Sequence, residues 1–415
     1  MKKNILATAI ASIALLSTAI ATTGCSTSGQ QEGNPERDLL VEVSPSQIIS
    51  EWKKIPDDKA FDEALRAIDS VRIYDSERAP QDSRDYAKMF CEFYAQHNPS
   101  ADLCDVLNLP GLKPATTVQE AAEAINKAAE DKITHSVAPV LEKRLKDAGA
   151  TYIDIKPAPG HSSTLRVLTG GLGKADLQRL ISSKGSIDFL AGGAAEAKEA
   201  LTEIDRRAAN RLSAMSYSYS QIAGPRIDMH SGAHGLDFGH AIIGHFRQAD
   251  KNEADSIINS EEAKTLLPAG IRLLWSYSPE NYGENFYSLY ALKEADASNI
   301  GQYITDAAAE CDEIMGWYVS MKFNNEGAEI FERLTRDNIG RELAIVLDGK
   351  VLSAPRVNDK ISGGNSQITG NFDETTCKML ATILKGGALT WKCEVIQSRP
   401  YSENTAGDDG ELRDS

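Results

Sequence analysis

The sequence predicts an α+β chain: a ferredoxin-like βαββαβ base with a helical insertion, followed by a second α+β lobe. Three observations lead there. From Leu39 to Leu190 the patterns run strand, helices, strand, strand, helix, strand. Between the first and second of these strands, Asp58 to Leu107 shows only helical spacing. Much later, Arg341 to Gly370 carries a strong hairpin signal.

The elements follow in order. Lys2-Lys3, an apolar run from Ile5 to Ile20 and Thr22-Thr23-Gly24-Cys25 have the layout of a bacterial lipoprotein signal, so residues 1–25 are set apart as a signal peptide ending in a lipidated Cys25. Acyl chains on Cys25 would hold the protein on a membrane leaflet. Thr22 stands where leucine is usual, and an uncleaved anchor is the rival reading, although the apolar run is short for a span. Residues 26–38 are polar and read as a flexible tether. Leu39 to Val43 is a strand, and a short helix starts at Ser46. The helical insert covers about residues 58–117. Its apolar positions Phe61, Leu65, Ile68 and Val71 recur at helical spacing, as do Tyr86, Phe90, Phe93 and Tyr94. That aromatic stripe reads as core. Val118 to Ala148 is a helix that Pro139 should kink and Gly149 should cap. Strands at Thr151–Ile155 and Thr164–Leu168, a helix at Lys174–Ser182 and a strand at Ser186–Leu190 complete a base spanning 39–190.

Residues 191–235 read as a helix to Arg211 and then a mobile connector. The second lobe spans 236–389, with strands at Phe238–Phe246, Ile271–Tyr277, Asn285–Lys293 and Met315–Phe323, and helices at Asn252–Asn259, Glu261–Leu267 and Glu326–Asn338. Leu343 to Leu347 is an apolar strand. Asp348-Gly349 is a turn that tolerates positive φ, and Lys350 to Ser353 runs back. Gly363-Gly364 and Gly370 bracket a third short strand. A helix covers Asp373–Leu384. Residues 390–400 should return to complete the base, and 401–415 form an acidic, disordered tail.

Composition narrows the function classes. The net charge is −16, and no Lys/Arg stripe is present, so nucleic acid is not an expected partner. Besides Cys25 there are Cys91, Cys104, Cys311, Cys377 and Cys393. Cys91 and Cys104 could pair in an oxidising compartment, or all five could be buried as small apolar residues. Asp228, His230, His234, Asp237, His240 and His245 crowd one segment, and His230 and His234 are weak candidates for a metal site. The default reading is a loop with surface histidines, with no cofactor. There is no Gly-x-Ser-x-Gly elbow, and Gly170-Gly171-Leu172-Gly173 lacks the spacing of a phosphate loop.

Gly327-Ala328, Leu334-Thr335, Asn338-Ile339-Gly340, Leu343 to Gly349, Ser353-Ala354-Pro355, Ser362 to Gly370 and Gly387-Ala388-Leu389 together resemble the first periplasmic domain of SecD and SecDF, the membrane subunits that assist the Sec export channel. Phe61-x-x-Ala64-Leu65, Ile271 to Ser276 and Leu289 to Lys293 are similar to the Bacteroidota type. Two departures stand out. Asn34 to Asp38 replaces an Asp-Leu-x-Gly-Gly motif, and Thr390 replaces a proline. The resemblance implies a base plus a head subdomain (the second lobe), here as a stand-alone lipoprotein without the family's membrane helices. It implies a non-enzymatic protein that binds exported or non-native polypeptide, or components of the Sec translocase, on the periplasmic side. By position, the candidate polypeptide-binding residues are Asp348, Gly349, Lys350, Arg356, Asn358, Gly363, Gly364 and Asn365. Exposed sheet edges suit capture of an extended chain by strand addition. Ser26 after the acylated cysteine favours the outer membrane over the inner. The rivals are an envelope assembly scaffold unrelated to export and a metal-dependent envelope enzyme built on the histidine segment.

Overall fold

The computed structural model describes residues 33–75, 85–217, 236–237, 240–281, 283–294, 300–313 and 316–402. Cys25, the expected signal peptide and most of the tether, His230, His234 and the tail from residue 403 lie outside them.

The first part alternates as expected: β1 (Arg37–Val43), α1 (Pro45–Ser50), α2 (Lys59–Asp75), α3 (Tyr86–His97), α4 (Leu103–Val106), α5 (Val118–Lys132), α6 (Ala138–Asp147), β2 (Tyr152–Ala158), β3 (His161–Gly170) and α7 (Lys174–Ser182). Thr117 and Glu120 form a capping box that starts α5, which buries Ala121, Ala122, Ile125 and Ala129. Pro139 has no N–H to give. The helix accommodates it with a π-helical turn at Ile133–Val137 rather than a break, and the Ala138 N–H donates to the Ile133 carbonyl. Gly149, at φ +91°, ends α6. In the insert Phe61 meets Phe90 edge-on at 4.8 Å, and Phe90 stacks with Tyr94 at 6.3 Å. All three rings are buried, so the aromatic stripe is core.

Beyond α7 come β4 (Ile187–Gly192), α8 (Ala194–Arg207), α9 (Arg211–Met215), β5 (Ser216–Tyr217), β6 (Ile242–Arg247), α10 (Lys251–Ile258), α11 (Glu261–Leu266), β7 (Ile271–Trp275), β8 (Glu280–Asn281), β9 (Asn285–Glu294), β10 (Ile304–Asp312), β11 (Gly316–Phe323), α12 (Asn325–Asp337), β12 (Leu343–Leu347), β13 (Lys350–Ser353), β14 (Asn365–Phe372), α13 (Glu374–Gly386) and β15 (Cys393–Pro400). Three sheets result among the described residues. The first has the order β15-β1-β3-β2, and a second has the order β10-β11-β14. The third is eight-stranded, β13-β12-β4-β9-β6-β5, with β7 and β8 also paired to β9.

One strand departs from the βαββαβ expectation. β4 does not close the first sheet. It inserts between β12 and β9 of the eight-stranded sheet, and β15 takes the position beside β1. The burial patterns explain the exchange. β4 buries four of its six residues, as a central strand should, whereas β15 buries only Cys393 and suits an edge. The strand expected from Phe238 starts only at Ile242. β10 was not expected at all: Thr305-Asp306-Ala307-Ala308-Ala309-Glu310 has low strand propensity, and pairing with β11 overrides it. Cys91 and Cys104 are both free thiols.

The chain passes between the first sheet and the rest at two places, Ser183–Ser186 and Gly387–Trp391. Arg144 of α6 ties them together. It is 0 % exposed. Its guanidinium donates to the carbonyls of Leu180 (2.9 Å), Ser183, Lys184 (2.9 Å) and Gly387 (2.6 Å). Burial lowers its pKa to about 10, which leaves it charged at neutral pH. The Leu389 N–H closes the joint on the Lys184 carbonyl at 2.7 Å.

Candidate functional site

The turn between β12 and β13 forms as its residues demand. Asp348 has φ +50° and Gly349 φ +77°, the mirror-image geometry that matches strand twist. The Asp348 side chain is exposed yet engaged by neighbouring donors. Its carboxylate accepts from the Ser183 hydroxyl (2.6 Å) and from the N–H groups of Gly185 (3.2 Å) and Ser186 (2.9 Å), and its own N–H donates to the Ser186 carbonyl (2.9 Å). The hairpin tip is thus stapled to the α7–β4 connection. Asp348 holds the fold, and Gly349 and Lys350 lie with it on a separate cavity.

Arg356, Asn358 and Asn365 come together instead on a groove of about 760 Å³. One wall is the segment Pro355–Ile361, and the opposite wall is the three-stranded sheet. Several contacts hold the segment in place. Leu343 N–H donates to Pro355 O, Val357 N–H to Arg341 O, and Gly340 N–H to Val357 O, at 2.9, 2.9 and 2.8 Å. Ile361 N–H donates to Thr335 Oγ1 at 2.9 Å, and Lys360 pairs with Glu332 at 2.6 Å. Phe189, Phe331, Leu343 and Ile345 form an apolar floor. The sheet contributes residues from both its faces, buried Ala307 and Met321 as well as exposed Ala308 and Lys322. β14 supplies Asn365, Ser366, Gln367 and Thr369, and its far side has no strand partner among the described residues. A free strand edge therefore borders an apolar floor, the arrangement that an extended peptide can join.

The rim is polar and of mixed charge. Glu310 accepts from Ser320 (2.6 Å) and Tyr318 (2.7 Å), and these hydrogen bonds hold its carboxyl below the usual range. The side chains of Arg356 and Asn358 make no ion pair or hydrogen bond among the described residues. Gly363 and Gly364, at φ +83° and +71°, belong to the turn rather than to the groove lining. The Gly364 carbonyl accepts from the Phe323 N–H at 2.8 Å, and a Cβ on Gly364 would meet Ala328. Sequence reasoning missed the floor and the β10 rim. The signals for the floor were Phe331, on the strongly amphipathic α12, and Phe189, on the apolar β4. β10 carried no such signal.

The histidine segment splits. His240 is exposed, and its Nδ1 lies 3.4 Å from Glu342. His245 is 2 % exposed and shares a 3.0 Å hydrogen bond with Ser288, itself 1 % exposed. Burial keeps the His245 pKa below the usual imidazole value. This Ser–His pair is closed to a substrate. Among the described residues no group of three or more His, Cys, Asp or Glu is placed to hold a metal ion.

Comparison with known proteins adds sequence similarity to this geometry. Residues 280–391 match the family model of the SecDF P1 head subdomain. The chain is 29% identical over 371 residues to protein translocase subunit SecD of Rhodothermus marinus, covering 82% of this chain and 57% of that relative. It is 46% identical over 99 residues to SecD of Acidaminococcus fermentans, 24% of each. The chain thus spans little more than half the length of the first relative and a quarter of the second. A solved structure described as a membrane component SecDF that enhances protein export is 21% identical, covers 70% of this chain and 96% of its own, and superposes with a TM-score of 0.35.

Proposed function

We propose that the chain carries a SecD/SecDF-type periplasmic domain, to which residues 280–391 and the SecD relatives are similar, and that it serves protein export by binding extended, non-native polypeptide in the groove along β14. The observation that carries this reading is the groove itself: an edge of β14 with no strand partner among the described residues, beside the floor of Phe189, Phe331, Leu343 and Ile345, all but Phe189 within the stretch that bears the head-subdomain similarity. Main-chain pairing would give affinity for any sequence, and the floor would favour apolar side chains. Arg356, Asn358 and Asn365 line the groove, Gly363 and Gly364 shape the turn before β14, and Asp348, Gly349 and Lys350 lie on the separate cavity.

The remainder of the proposal concerns placement. No helix among the described residues is long and apolar enough to cross a membrane. Acylation of Cys25 would tether the protein to the envelope with the groove facing the periplasm, within reach of emerging chains or of Sec translocase components. The role is binding rather than catalysis.

The test is direct. A fluorescently labelled, permanently unfolded polypeptide should bind the purified protein, and the paired substitution Gln367→Lys with Thr369→Lys on β14 should weaken binding about tenfold or more by placing charges along the edge. Equal binding by the wild type and the pair variant would exclude the groove.

A further inference from the structure

A second cavity, of about 540 Å³, lies against the tip of the β12–β13 hairpin and is walled by α10 and by the segment Trp275–Tyr277. We infer that it binds an acidic peptide segment. The inference rests on the reading that this chain takes extended polypeptide, and adds to it a second contact point with a charge preference.

The electrostatics point that way. Lys251 reaches into the cavity wall with its ammonium 4.8 Å from the Trp275 ring centroid and 5.6 Å from that of Tyr287. The two ring faces hold the cation in place, and it makes no ion pair with a carboxylate among the described residues. Lys350, at the hairpin turn, is exposed and likewise makes no ion pair there. Asp348 is the acid lining the cavity, and its two oxygens are already committed to Ser183, Gly185 and Ser186. Those bonds do not discharge the carboxylate, so in a chain of net charge −16 the lining carries two ammonium groups against one carboxylate, a local excess of positive charge.

The neutral groups suit a peptide backbone. The Asn252 carboxamide has no hydrogen-bond partner among the described residues. Asn259 donates through Nδ2 to Asp255, at 3.1 and 3.0 Å, which leaves its carbonyl oxygen to accept an N–H. A carboxamide offers both a donor and an acceptor, as a backbone amide requires. An acidic saccharide fits less well. Sugar recognition calls for an open aromatic face, and here Lys251 covers Trp275 and Tyr287. A carboxylate side chain from a bound peptide can meet Lys251 and Lys350 while its backbone meets Asn252 and Asn259.

The experiment uses the full-length purified protein and two labelled probes, a short peptide of Glu, Gly and Ser and an apolar peptide of Val, Thr and Gly, followed by fluorescence anisotropy. The Glu peptide should bind, with affinity falling as salt rises. Lys251→Gln combined with Lys350→Gln should weaken it about tenfold or more, while Lys251→Arg with Lys350→Arg retains it. The apolar peptide should be unaffected by either pair, which also shows that the variants are folded. Binding of the Glu peptide without binding of the apolar one would remove the β14 groove reading and leave this site standing. No binding of the Glu peptide, unchanged binding in the Gln pair, or displacement of the Glu peptide by an oligogalacturonate would overturn the inference.

Discussion

Arg144→Met is the perturbation that tests the joint between the first sheet and the rest. The arginine is fully buried and hydrogen-bonds four backbone carbonyls, from Leu180, Ser183, Lys184 and Gly387. Methionine fills much of the same volume and donates nothing. The Lys184 carbonyl keeps its bond from Leu389 N–H, but the other three lose the donor that satisfies them. Each buried carbonyl left unpaired costs about 1–3 kcal/mol, and relief of the buried charge offsets part of the sum. A net loss of about 3–5 kcal/mol is the expected result, the sum over three unpaired carbonyls less that offset. With a urea dependence of about 2–3 kcal/mol per molar, the unfolding midpoint should fall by about 1–2 M, read by tryptophan fluorescence. Limited proteolysis should open new cuts at Ser183–Ser186 and near Gly387, the two crossings that the guanidinium ties. Arg144→Lys should recover only part of the loss, because one ammonium cannot span carbonyls on both connections. A midpoint within about 0.3 M of the wild type would refute the reasoning, since the carbonyls would then have other partners.

Further outcomes follow from the same contacts. Asp348→Ala removes three acceptor contacts at the hairpin tip and should cost about 2–3 kcal/mol in the same urea assay. Asp38 lies 2 % exposed between β3 and β15. Burial opposes its ionisation, but hydrogen bonds from Arg166 and Arg399 prevail and set its carboxyl below the ordinary 3.8. A depressed folded-state value means that its contribution is present above the unfolded pKa and is lost as pH falls through the lower folded value. The slope of the urea midpoint below about pH 4 should therefore flatten in Asp38→Asn. Burial pushes the thiols of Cys91 and Cys393 up to about 12 and that of Cys377 to about 11. Maleimide should label Cys104 and Cys311 in the native protein and reach the other three only after unfolding, as mass spectrometry would report.

The sequence made the local elements legible where pattern and turn chemistry agreed. Asp348-Gly349 set the hairpin, α5 starts at Val118 as its apolar spacing indicates, and α7 runs from Lys174 to Ser182 likewise. It did not reveal which sheet β4 would join. A strand pattern states what is buried but not beside which partner, and β12, the neighbour of β4, lies far downstream in the chain. β10 was hidden because alanine and acidic residues favour a strand only when a neighbour such as β11 fixes them. The candidate site was half legible. Arg356, Asn358 and Asn365 do meet on one groove, yet Asp348, an exposed turn acid, is spent on a staple to the α7–β4 connection. The floor of Phe189 and Phe331 comes from β4 and α12, and only tertiary structure brings them together. Which distant backbone groups a turn carboxylate binds is a long-range property, invisible to turn propensity.

The most direct measurement of the central claim is site-specific photocrosslinking in intact cells, with the photoreactive residue at Gln367 on the free edge of β14 and a control at Glu63 on α2. Crosslinks from Gln367 to exported precursors, enriched when translocation is slowed and absent from the Glu63 control, are the predicted result. Equal labelling from the two positions, or Gln367 adducts containing no exported polypeptide, would contradict the account.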